Sequence, residues 1–185
     1  HLIKWSQIPI STKRHFSFYS IVAKSRNLKH SIAYSKQNPT FPIIWNNGPD
    51  VIHADLNKFN IRFGHVELTQ TINNRSLSQI YNAFLRKRAS RFIIIDHDTS
   101  LNHEFLNNAL SLEDGKLGIP SILVRGELLY PHVNGSYNTD PYKNKDALTA
   151  IGSGITLTQG ALDLISKRYN TPFDENFVFY GVDST

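Results

Sequence analysis

Cysteine and methionine are both missing from the 185 residues. Without thiols, cysteine nucleophiles, CxxC redox pairs, iron–sulfur clusters and thiolate zinc sites are excluded. No disulfide is there to indicate an oxidising compartment, so cytoplasmic residence is the expectation. No apolar run approaches the roughly 18 residues needed to cross a bilayer, and the start has no signal-peptide core. Membrane association is therefore expected only as peripheral contact at the inner face. Internal repeats and low-complexity linkers are lacking too. Residues 1–185 read as a single domain, large enough to bury roughly 70% of its unfolded surface without a staple. Because the chain opens on His1 and holds no Met, it is expected to be a processed or truncated piece.

Acidic residues are absent from the first 49 positions, where Lys4, Lys13, Arg14, Lys24, Arg26, Lys29 and Lys36 stand alone. The remainder carries 13 basic against 15 acidic residues. Such a block attracts phosphates or anionic headgroups, or it is a solvated basic face. Nucleic acid is not expected as a partner, since no helix-turn-helix, zinc or RNP-type signature accompanies the charge.

What is present is an alternation of strand and helix signals. Phe16–Ala23 (FSFYSIVA), Phe41–Trp45 (FPIIW) and His65–Thr69 read as strands, with a helix at Leu28–Gln37 and strong turn chemistry at Asn46-Asn47-Gly48-Pro49. Leu77, Ile80, Tyr81, Phe84 and Leu85 fall at i, i+3, i+4, i+7 and i+8, one apolar helical stripe. Ser76 and Gln79 predict a capping box at its start, and Arg86-Lys87-Arg88 suits the dipole at its end. Arg91–Asp96 (RFIIID) reads as a strand buried on both faces. A helix over Asn102–Leu112, strands at Ser121–Arg125, Glu127–Tyr130 and Gly154–Thr158, and a helix at Ala161–Lys167 complete the pattern. The polar stretch His132–Asp146 reads as a mobile loop able to close over a site. The alternation predicts an α/β domain with a doubly wound, mostly parallel sheet.

The chemistry concentrates at Asp96-His97-Asp98, two carboxylates one residue apart at the carboxyl end of a buried strand, where open α/β sheets bind ligands. Like charges placed together in this way favour a cation. The competing reading is that Thr99, Ser100 and the following helix start cap and solvate both carboxylates, with His97 a packing residue.

In order and content these segments resemble the Rossmann-like nucleotide-sugar domain of inverting GT-A glycosyltransferases of the family 2 type, with similarity to bacterial rhamnosyltransferase-like members. The resemblance runs from Phe16 to Thr185. Its carriers are the first strand leading through Lys24-Ser25-Arg26-Asn27, IIWNNGPD at Ile43–Asp50, NNRSLSQIYNAF at Asn73–Phe84 before RFIIIDHD, and FDENFVFYGVD at Phe173–Asp183. It implies that Asp96 and Asp98 hold Mn2+ or Mg2+ and the donor diphosphate, that Ala23, Asn46 and Asn73 border the nucleotide, and that Asp183 is the general base. The implied donor is a UDP- or dTDP-sugar, and the acceptor a saccharide or a lipid-linked hydroxyl. The acceptor-binding part would follow Thr185. Two alternatives stand beside this reading. One is a haloacid dehalogenase-type phosphatase with Asp96 as nucleophile and Asp98 as its acid/base, because IIIDHDTS also fits DxDxS. The other is a sugar- or nucleotide-binding domain without turnover.

Overall fold

The computed structural model describes residues 17–23, 40–51, 53, 56, 66–87, 89–96, 99, 101–137, 148–150 and 152–176, with the backbone alone for 17–23, 40, 41, 103 and 137. Its centre is strand β4 (Arg91–Asp96), in which Phe92, Ile93, Ile94 and Ile95 are fully buried. Side chains alternate along a strand, so Phe92 and Ile94 serve one face and Ile93 and Ile95 the other. On the first face they join Ile43 and Trp45 of β2 (Thr40–Asn46), helix α1 (Leu77–Leu85) through Ile80, Tyr81, Phe84 and Leu85, and Leu162 of a later helix, Gln159–Ser166. On the second face Ile44 and helix α2 (His103–Ser111) meet them through Leu106 and Ala109. Helices thus cover both faces of the sheet, and β4, apolar at every second and every intervening position, belongs nowhere else.

The stripe expected over Leu77–Leu85 is α1 itself, and its Phe84 ring meets Phe92 edge-on at 5.3 Å. Its ends differ from expectation. Ser76 is the N-cap residue, but its hydroxyl bonds to Ser78 Oγ at 3.2 Å and makes no cap bond, so the capping box with exposed Gln79 does not form. Lys87 turns its ammonium to Glu67, at 2.5 and 2.7 Å, because a full carboxylate charge outcompetes the partial charge of a helix end.

The six-stranded sheet has the order β3-β2-β1-β4-β11-β5, where β1 is Ser17–Ala23, β3 Glu67–Gln70, β5 Leu117–Gly118 and β11 Thr156–Thr158. Strands β2 and β3 pair parallel; β1 is antiparallel to both β2 and β4, and β11 to both β4 and β5. The described strands therefore do not form the mostly parallel, doubly wound sheet that the alternation predicts. The physical reason lies in connectivity. Strands β3 and β4, joined through α1, and β4 and β5, joined through α2, run in one sense, as helical crossovers require. Strand–helix alternation says nothing about a strand inserted from elsewhere, and β1 and β11 each fill a gap in the opposite sense.

Between β5 and β11 the chain makes two tight hairpins. Strands β6 (Ile122–Val124) and β7 (Glu127–Tyr130) are joined by Arg125-Gly126, and β8 (His132–Val133) and β9 (Ser136–Tyr137) by Asn134-Gly135. All four turn residues have positive φ, as type I′ turns demand. Strand β10 (Leu148–Thr149) then pairs with β8. The first six residues of the expected loop His132–Asp146 are thus a hairpin, while residues 138–147 lie outside the described residues, as does the helix expected at Leu28–Gln37. Among the described residues, no helix is long and apolar enough to cross a membrane. Helix α3 (Gln159–Ser166) closes the described fold, its N-cap Thr158 accepting from Ala161 N.

Candidate functional site at the carboxyl edge of the sheet

Strands β2, β3 and β4 end at one edge. Asn46 stands opposite both Ser17 and Gln70, and Asp96 opposite Phe18, so Asn46 and Asp96 are two strand spacings apart, about 10 Å.

Asn46 and Asn47 are completely buried at this edge, and their amides are occupied. Asn46 Nδ2 donates to Asp50 O (2.8 Å) and Gln70 Oε1 (3.1 Å), while its Oδ1 accepts from Gly48 N (3.1 Å). Both amide hydrogens are therefore in use. Asn47 Oδ1 accepts from Arg75 N (3.0 Å) and Thr71 Oγ1 (2.8 Å), and its Nδ2 donates to Arg75 O (2.7 Å). The pair fastens the loop after β3 to the end of β2. The resemblance implies that Asn46 borders the nucleotide, yet its side chain is buried and engaged with Gly48, Asp50 and Gln70, where it shapes the turn. Asn73 is exposed in the loop after β3, next to Asn74 at φ 49° and exposed Arg75.

Asp96 is half-buried where β4 ends. Its backbone N–H donates to Ser153 Oγ at 3.2 Å, and its carbonyl accepts from Thr99 N at 3.1 Å. The Ser153 and Thr99 hydroxyls are 2.6 Å apart. Ser153 is buried, and the turn around it admits no larger residues: a Cβ on Gly152 would meet Tyr81 Oη at 2.8 Å, while Gly154 has φ +84° and a Cβ there would overlap Pro120 Cγ. Gly154 N in turn donates to Ile94 O at 2.6 Å.

Ala23 is not brought to this edge. It pairs with Thr40, at the other end of β2 from Asn46, about 20 Å away along the strand. Asp98, His97 and Asp183 lie outside the described residues. The start of the late segment is described, and buried Asn82 of α1 secures it: Nδ2 donates to Phe173 O and Glu175 Oε1, both at 2.8 Å, and Oδ1 accepts from Phe173 N at 3.0 Å. Asp174 Oδ1 accepts from Asn176 N (2.9 Å), an Asx turn of the kind that loop carboxylates commonly make.

A cavity of about 480 Å³ opens between α2 and the segment Gly118–Ser121, with Asn102, Phe105, Asn108 and Gly154 in its lining. Arg91 secures the close of α2, its buried guanidinium donating to Leu110 O and Leu112 O. Burial pushes that guanidinium below its ordinary value, and Asp114 opposes the shift. Among the described residues there is no cluster of three or more His, Asp or Glu. The Asp96 carboxylate is a hard oxygen donor of the kind a divalent cation takes, while the Thr99 and Ser153 hydroxyls beside its backbone are engaged with each other and with the Asp96 N–H.

Sequence reasoning missed Asn47, Asn82 and Ser153. The available signals were the second Asn of NNGPD, one amide inside an otherwise apolar helix, and a Ser flanked by two glycines. Comparison with protein-family models, curated proteins and solved structures finds no match to this chain.

Proposed function

We propose that the chain is the nucleotide-sugar domain of an inverting glycosyltransferase that moves a sugar from a UDP- or dTDP-linked donor to a hydroxyl of a saccharide or lipid-linked acceptor. The observation that carries this reading is Asp96, half-buried at the edge where β2, β3 and β4 end together and backed by two hydroxyls. The common sense of β2, β3 and β4 supports it, since open α/β sheets bind ligands at the carboxyl ends of such strands. The residue resemblance supplies the rest.

In this reading the acceptor oxygen forms a bond to the anomeric carbon from one face while the bond from that carbon to the diphosphate oxygen breaks on the other. The acceptor proton passes to the carboxylate of Asp183. Asp96 and Asp98 would hold Mn2+ or Mg2+, which neutralises charge developing on the departing diphosphate. Asn46 and Asn47 keep the loop of Asn73 and Arg75 beside the nucleotide, Arg75 offering a guanidinium suited to phosphate. No covalent adduct on the protein is involved.

Calorimetry with UDP- and dTDP-sugars, with Mn2+ and with chelator, tests the reading. The metal should tighten binding, and Asp96→Asn and Asp98→Asn should each remove about 10- to 100-fold of that gain. Metal dependence equal in both variants and the parent protein would overturn it.

A further inference from the structure

The Gly152–Gly154 turn lies 57 residues beyond Asp96 in sequence, yet it reaches the end of β4 at two points. Gly154 N donates to Ile94 O at 2.6 Å, and the Ser153 hydroxyl accepts from Asp96 N at 3.2 Å. The same hydroxyl lies 2.6 Å from Thr99 Oγ1, so one buried oxygen binds two residues where the strand passes into the connection to the helix, Asp96 and Thr99. A serine hydroxyl can accept from the amide and donate to the threonine at once, which suits the two distances. The turn around it has little freedom. Tyr81 blocks a side chain at position 152, and both φ and Pro120 block one at 154. A hydroxyl fixed on so constrained a backbone is a rigid stop for whatever it holds.

From this geometry we infer that Ser153 is a positioning residue: it sets the backbone of Asp96, and through it the direction in which the carboxylate meets the divalent cation and diphosphate. The inference rests on the nucleotide-sugar reading of Asp96. Its structural half is independent of that reading. Residues that orient a metal ligand change affinity for the metal-bound state without touching the ligand's chemistry.

The test compares the full chain with Ser153→Ala and Thr99→Ala, using amide hydrogen exchange and calorimetry of UDP with Mn2+ or with chelator. In Ser153→Ala, the Asp96 amide should exchange about fivefold to tenfold faster, as expected for one lost hydrogen bond. The Gly154 amide serves as the internal control and should keep its protection. The Mn2+-dependent gain in UDP affinity should fall about tenfold or more, with affinity in chelator unchanged. Thr99→Ala leaves the Ser153 bond to Asp96 in place, so the Asp96 amide should stay protected there. Unchanged Asp96 exchange in Ser153→Ala overturns the inference, as does faster exchange with full Mn2+-dependent affinity. If Ser153→Ala exposes Gly154 as well, Thr99→Ala decides: loss of Asp96 protection in that variant means that Thr99, not Ser153, holds the strand end. A parent protein that binds neither UDP nor, in a parallel titration, dTDP in any condition refutes the nucleotide reading instead, and the exchange data still judge the bond from Ser153 to Asp96.

Discussion

Replacing Asn82 by Ala should loosen the start of the late segment from α1, and the structure gives the size of the effect. Three hydrogen bonds are lost: Nδ2 to Phe173 O and to Glu175 Oε1 at 2.8 Å, and Oδ1 from Phe173 N at 3.0 Å. At about 1 kcal/mol net for each bond the sum is about 3 kcal/mol. Phe173 and Glu175 are half-buried and regain some water, while the packing of Phe173 on Tyr81, 5.0 Å between ring centres, survives. The expected loss is therefore about 2–3 kcal/mol, or about 5–10 °C in Tm for a domain of this size. Urea unfolding of the parent and variant measures it, with limited proteolysis of residues 167–176 as the local readout. Glu175→Ala removes one of the three bonds and should cost under about 1 kcal/mol. Asn82→Asp keeps the shape but points acceptors at Phe173 O and Glu175, so it should cost at least as much as Ala. A loss under about 0.5 kcal/mol for Asn82→Ala would refute the clamp, since no arrangement with three good buried hydrogen bonds is that weak.

Two further outcomes follow from the turns and the charges. Gly154→Ala should cost about 3 kcal/mol or more and Gly135→Ala only about 1 kcal/mol, because both have positive φ but only the first would meet Pro120, whereas the second faces open space; equal losses in chemical denaturation would contradict this. The Gly160 N–H, helped by Gly115, Thr158 and Arg91, holds the Asp114 carboxyl below its ordinary value of 3.8. Its folded value being the lower one, Asp114 stabilises fully at pH values above the ordinary one, and that contribution is lost as pH falls through the folded value. Asp114→Asn should therefore flatten the fall of Tm below about pH 4, and parallel curves for the two proteins would count against the assignment.

The strength of local patterns decided what could be read in advance. The RFIIID run could only be a central strand, and it forms β4 over the residues expected; the apolar stripe from Leu77 to Leu85 likewise delimits α1. Strand sense was hidden, because β1 and β11 take their direction from neighbours distant in sequence, and periodicity carries no information about neighbours. The hairpin at Val133-Asn134-Gly135-Ser136 had a local signal, Asn-Gly, masked by the polar character of the stretch around it. At the candidate site, the position of Asp96 was legible from its place at the end of an apolar run. The work done by Asn47, Asn82 and Ser153 was not, since each acts through a partner 28 to 93 residues away. For Asn46 the residue was singled out but its orientation was not: a polar side chain at a strand end can face ligand or backbone, and here the backbone of Gly48 and Asp50 claims it.

Amide NMR shifts during titration of the chain with UDP- or dTDP-sugar and Mn2+ bear most directly on the central claim, that the carboxyl edge of the sheet is a nucleotide-sugar site. Saturable shifts are expected at Gln70, Asn73, Asp96, Thr99 and Ser153, with little change at Ala23 and Thr40 on the opposite edge. The account is contradicted if no donor produces saturable shifts, or if the shifts gather around Ala23 and Thr40 and spare Asp96.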